Sequence, residues 1–298
     1  DRWFFEMWSH ALAAAERQPV GRQFYLIVRD CAMHDLHSHS HRIETLLAPP
    51  FEWCSIAAGS VVLADAADRG GTSGGVFAVP TFAISKYLIT NAQYQPFVED
   101  PNGYSNAAWW GYSPQALQWR KTHPKAQRTA FDGPKLPRTR VSWFDSLAFC
   151  AWLSHAIAST SHFSIHDITT WAIRLPSEVE WQRAAVGDTF GPYPWGHAPV
   201  DETRATCANW AKQPTSVDNH PAGASPYGVF DMSGNLAEWC LTKWGSDGVD
   251  VSGYSYRNVR GGAWNIDAQN VFLQAMDRYG HPPRGRLNDF GFRIGLYV

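Results

Sequence analysis

Cysteine is scarce in this 298-residue chain: Cys31, Cys54, Cys150, Cys207 and Cys240 are scattered, odd in number, and form no C-x-x-C pair. That argues against a disulfide framework and a zinc knuckle, and makes a reducing cytoplasm the expected setting. Charge of one sign is also lacking. Lys plus Arg is 25 and Asp plus Glu is 27, which leaves no broad cationic field for nucleic acid or an anionic membrane surface. Long apolar runs are missing too: the longest, Ile56 to Ala67, is broken by Gly59, Ser60 and Asp65 and falls short of the ~20 residues of a membrane span. The first residues, DRWFFEMWSH, place no basic stretch ahead of an apolar one and begin on Asp, so the chain reads as a trimmed or processed fragment. The glycine patch Gly70 to Gly75 lacks the Lys-Ser/Thr ending of a phosphate loop.

What the chain does have is apolar and aromatic: 45% hydrophobic residues with 15 Trp, enough for a large core, punctuated by 24 Gly and 19 Pro. The fold class expected from this is α+β, loop-rich, with small antiparallel sheets and two or three helices. Three helix starts carry a capping-box spacing, Thr90/Gln93, Ser142/Asp145 and Ser177/Glu180. Pro96 falls inside the first of these helices and should keep it short or kinked. The second, Ser142 to His155, sets Phe144, Leu147, Ala148 and Ala151 on one face for packing. Beyond Gly187 only short strands are evident, such as Asn258 to Arg260 and Phe290 to Leu296. A boundary is expected near Pro49-Pro50. Residues 1–50 form an appendage with a helix at Trp3 to Arg17 and a strand at Phe24 to Val28, and residues 51–298 form the main domain.

The runs Phe82 to Tyr94 (FAISKYLITNAQY), Val141-Ser142-Trp143, Arg174 to Trp181 (RLPSEVEW), Tyr193 to Gly196 (YPWG), Gly228 to Trp239 (GVFDMSGNLAEW), Arg260 to Trp264 (RGGAW) and Gly291-Phe292-Arg293 resemble, in order, the blocks of the formylglycine-generating-enzyme or sulfatase-modifying-factor family. The resemblance implies a variant of the C-type lectin fold. Enzymes of that family bind copper through two cysteines, whose matching positions here are near Asn270 and Ala275. An amide and a methyl cannot replace a thiolate pair for Cu(I), so copper is not expected. A second branch makes sulfoxides with iron held by histidines, and the cluster His34, His37, His39 and His41 offers imidazoles suited to iron, zinc or nickel. An oxygen-dependent metalloenzyme is therefore the alternative reading.

The stretch Trp264 to Arg293 resembles the diversified segment of a third branch, the variable proteins of diversity-generating retroelements. Between frame residues such as Trp264, Ala275, Arg278, Arg286 and Arg293 stand Ile266, Asp267, Phe272, Asp277, Tyr279, Gly280, His281, Gly285, Leu287, Asn288 and Asp289. Each of these is reachable from an AAC codon by changing only its adenines. Neither Lys nor Glu, which are not reachable that way, occurs after Lys243. The main expectation is thus a non-enzymatic binding protein whose ligand, a protein or other macromolecule, meets these positions; mixed aromatic and polar side chains on rigid posts suit that role. The resemblance further implies structural calcium on the Asp231 side chain, the Gly234 and Leu236 carbonyls and the Glu238 side chain, hard oxygen ligands of the kind calcium takes. Arg174, Glu180, Trp181, Trp239, Arg260 and Arg293 are expected to be buried ion pairs and packing rather than a site.

Overall fold

A computed structural model describes residues 43, 46–157, 164–189 and 191–297. The expected helix Trp3 to Arg17, the strand Phe24 to Val28 and the cluster His34, His37, His39 and His41 lie outside the described residues.

Two small sheets and a hairpin carry the architecture. In the first sheet β1 (Trp53–Ile56) pairs antiparallel with β4 (Phe82–Ser85), β4 with β10 (Gly295–Leu296), and β10 with β5 (Ile173–Arg174). The hairpin is β2 (Gly59–Leu63) with β3 (Gly75–Val79). The second sheet runs in the order β8 (Tyr279–His281), β7 (Arg257–Arg260), β6 (Ala237–Lys243) and β9 (Phe290–Gly291), with β9 parallel to β6. The chain passes from β9 to β10 through Phe292 to Ile294, so its last residues join the two sheets. Arg293 sits at that joint, fully buried. It forks onto Glu238 of β6 at 2.6 and 2.7 Å and donates to the Ser85 and Phe230 carbonyls, tying both sheets to the 228–239 loop.

Among the described residues are four α-helices: α1 (Asn91–Glu99), α2 (Pro114–Thr122), α3 (Trp143–Ile157) and α4 (Glu178–Val186). The capping boxes at Thr90/Gln93 and Ser177/Glu180 form as the spacing predicts. At the third start the Ser142 N–H donates to Asp145 at 2.8 Å and the Asp145 N–H donates back to Ser142 Oγ at 3.1 Å. Helix α1 is short and contains Pro96. Helix α3 departs from expectation, since nearly every side chain is buried rather than one face only. It is the central post, and a helix enclosed on all sides shows little amphipathic pattern. Between α1 and α3 the rings of Tyr94, Phe97, Phe149 and Phe292 interlock with centroids 5.4 to 6.2 Å apart. The other expected core groups pair as foreseen: Arg174 forks onto Glu180 at 2.8 Å, Arg260 meets Glu178 at 2.9 Å, and Trp181 donates to Glu238 at 2.9 Å.

Candidate functional site

The segment from Trp264 to Asp289 leaves β7 through Gly261 and Gly262. Gly262 has φ of 65°, and a Cβ there would lie 2.6 Å from the Phe272 carbonyl, so this turn accepts only glycine. The segment then makes a single 3₁₀ turn at Val271–Leu273, forms the edge strand β8 in register with β7 (Val259 opposite Tyr279, Arg257 opposite His281), and returns to β9.

Two arginines from the segment pin it to the amino-terminal turns of two helices. Arg278 is buried and forks onto Glu178, the first residue of α4, at 2.8 Å through both Nε and Nη2. Arg286 forks onto Asp145 in the first turn of α3, Nε to Oδ2 and Nη2 to Oδ1 at 2.7 Å. Burial alone would raise the Asp145 carboxyl; the hydrogen bonds and charge of Arg286, with Ser142, outweigh it and hold that carboxyl below the usual value. Tyr104 completes the group, donating to Asp145 at 2.9 Å and accepting from Arg286 at 2.7 Å. Backbone spacing is thereby fixed at two points.

The singled-out residues fall into an outer lip and an inner strand. On the lip, Asp267, Leu287 and Asn288 are exposed, and Ile266 and Asp289 are half-buried. Asn265 donates to Asp289 at 3.0 Å and Trp264 Nε1 to the Asn288 carbonyl at 3.4 Å, which brings the two ends of the segment together. Asn288 accepts from Arg140 at 2.7 Å and Asp267 from Asn209 at 3.4 Å. On the inner strand, the Tyr279 and Phe272 rings lie 5.3 Å apart, and His281 sits against Phe290 at 4.9 Å and Trp239 at 5.8 Å. Asp277 turns away to Arg69 at 3.0 Å. Gly280 and Gly285 are sterically committed: a Cβ on Gly280 would overlap the Trp244 ring, and one on Gly285 would lie 2.6 Å from the His281 ring. Arg140, Asn209 and Arg69 were not foreseen, and no local pattern marks them, because each reaches the segment from a distant part of the chain.

The calcium set inferred from resemblance is split. Asp231 is buried at a left-handed backbone position (φ 57°), accepts from Asn235 at 2.9 Å and keeps its other oxygen without a partner. Burial, opposed by Asn235 and the charge of Arg293, pushes its carboxyl up to about 7. Glu238, in contrast, has both oxygens engaged, by Arg293 and by Trp181. At the copper positions, Asn270 is exposed and caps the Phe272 N–H at 3.0 Å, while Ala275 is buried. Cys54, Cys150, Cys207 and Cys240 are buried free thiols, each raised by that burial. Among the described residues no helix is long and apolar enough to cross a membrane.

The sulfatase-modifying factor enzyme 1-like domain family matches residues 47–296, and the chain belongs to that family. It is 29% identical over 229 residues to hercynine oxygenase of Mycolicibacterium smegmatis, covering 70% of this chain and 51% of that protein. It is 28% identical over 253 residues to the inactive C-alpha-formylglycine-generating enzyme 2 of Mus musculus, covering 72% of this chain and 75% of the relative. The chain spans about half the length of the hercynine oxygenases it matches. Among solved structures, Treponema denticola variable protein 1 superposes with a TM-score of 0.58 at 19% identity, covering 83% of this chain and 95% of that one, a likeness of fold. The expected fold, of the formylglycine-generating and C-type lectin kind, is thus found. The expectation of a non-enzyme is corrected: the hercynine oxygenases are enzymes by name, so enzymatic activity is plausible in this family. The expectation rested on the missing cysteine pair, which speaks only against copper-thiolate chemistry.

Proposed function

We propose that this chain is part of an oxygen-dependent metalloenzyme akin to the hercynine oxygenases, with iron held in part by His37, His39 and His41. The observation that carries the reading is the donor set. Asn270 and Ala275 replace the copper thiolates, the segment from Trp264 to Arg293 contains no cysteine, and the imidazoles of the histidine cluster are ligands that suit iron. The similarity to hercynine oxygenases over 70% of the chain supports it. A bound iron would supply the activation of dioxygen. The chain's own part, in this reading, is to present the substrate on the face from Ile266 to Asp289, where Asp267, Leu287 and Asn288 are accessible and the arginine forks keep the backbone fixed. Metal analysis of protein purified without a histidine tag tests this. One iron per chain, lost in a variant with His37, His39 and His41 all changed to Ala, is the expected result, and no iron in the folded wild-type protein contradicts it.

A second reading gives the same face a diversified, ligand-binding role. It is supported by the alternation of buried posts (Ala275, Arg278, Pro283) with exposed or half-buried positions that AAC codons can reach. Gly280 and Gly285, sterically committed, weigh against free variation at those two positions. Sequencing the DNA beside the gene decides it: a near-copy of the codons for Trp264 to Arg293, differing where it carries adenines, supports the reading, and the lack of one removes it.

A further inference from the structure

The described residues line an open cavity of about 520 Å³ to which no residue from Trp264 to Arg293 contributes. That is the size of ordinary small-molecule sites. One flank of α1 forms a wall through Asn91, Gln95 and Val98, the loop carrying Thr129 and Pro134 forms the other, and Arg138 also lines it. Arg138 is 5% exposed. Its guanidinium lies 4.8 Å from the Tyr94 ring, and Nη2 donates to the Gln127 carbonyl. Nε is buried with no partner and Nη1 makes no hydrogen bond within the described chain.

Other buried arginines here have more partners, although the Nε atoms of Arg257 and Arg260 are also buried without one. Arg174, Arg260, Arg278, Arg286 and Arg293 each hold a carboxylate, and Arg257 donates to the backbone carbonyls of Leu241, Asp250 and Ser252. Arg138 has neither. The acidic group on the cavity rim, Asp132, is taken by Arg128 at 2.7 Å, and Asp145, whose field reaches Arg138, is neutralised by Arg286. Burial holds the Arg138 guanidinium below its usual value, the direction expected for a cation out of water without a counter-charge. A buried, unpaired charge is costly unless an anion completes it. The cavity beside it therefore keeps one uncompensated positive charge, flanked by the apolar Val98 and Pro134 and by the amide of Gln95.

We infer that this cavity is a binding site for a small organic carboxylate, seated on the guanidinium of Arg138 with its carbon skeleton against Val98 and Pro134. A monoanion matches the single unpaired cation, and a carboxylate matches the planar fork of a guanidinium.

Calorimetry and amide chemical-shift mapping on the full chain, with sodium isobutyrate as the probe and isobutyramide and inorganic phosphate as controls, test the inference. Saturable millimolar binding of isobutyrate alone is expected, weakened by roughly tenfold or more in Arg138→Gln. Ala92→Leu, which fills the cavity from α1 and leaves the guanidinium in place, is expected to abolish binding. That second variant decides the matter if Arg138→Gln does not fold. No saturable binding by the folded wild-type chain overturns the inference, as does equal binding of isobutyramide or phosphate, or binding unchanged in Ala92→Leu.

Discussion

Arg286 and Asp145, 141 positions apart in the chain, meet as a two-bonded fork at 2.7 Å in which the carboxylate also closes the capping box of α3. One carboxylate thus starts the central helix and holds the candidate surface against it. Replacing Arg286 with Met leaves a buried carboxylate uncompensated, and a loss of about 3 kcal/mol in urea unfolding is expected, within the range for breaking one partner of a buried pair. Equal stability of the variant would show that the fork does not support the fold.

The pH dependence follows from the same pair. The Asp145 carboxyl is below its unfolded value of about 3.9, so its contribution is fully present above that pH and is lost as pH falls through the folded value. Glu180, held low by Arg174 against the opposing effect of burial, acts in the same direction. Chemical denaturation between pH 6 and 3 should show stability falling most steeply below about pH 4, and Asp145→Asn should flatten that limb.

Gly280 tests how far the inner strand can vary. A methyl there overlaps the Trp244 indole, so Gly280→Ala should cost roughly 1 to 3 kcal/mol, as overpacking does, and should shift the tryptophan emission. A neutral substitution would mean that Trp244 yields readily.

The outer lip should behave in the opposite way. Leu287 is 38% exposed, and Leu287→Asp is expected to change stability by no more than about 0.5 kcal/mol while altering ligand or substrate affinity. A large loss of melting temperature with unchanged affinity would make the lip structural.

Much of the helical frame was legible because its signals are local. Thr90/Gln93 and Ser177/Glu180 are capping boxes within four residues, and they form as read. Helix α2 carried an equally local signal that went unused, Ser113 as cap with Pro114 at the first helical position. Strand β6 gave no alternation to read, because six of its seven side chains are buried and both of its faces are covered. The site was legible as a segment but not as a surface. The resemblance to a diversified segment named Asp277 and Asn288 alike, yet one turns to Arg69 and the other lies exposed beside Arg140, a difference set by partners more than 140 residues away. Nor does any pattern announce that Arg138 lacks a carboxylate, since its environment is assembled from α1 and a loop.

The most direct test of the proposed enzymatic reading is oxygen uptake by the full protein, with hercynine and a thiol as trial substrates. The account predicts uptake that depends on the iron-loaded protein and falls to background in the variant with His37, His39 and His41 changed to Ala. Oxygen uptake no greater than background from folded, iron-supplied protein would contradict it.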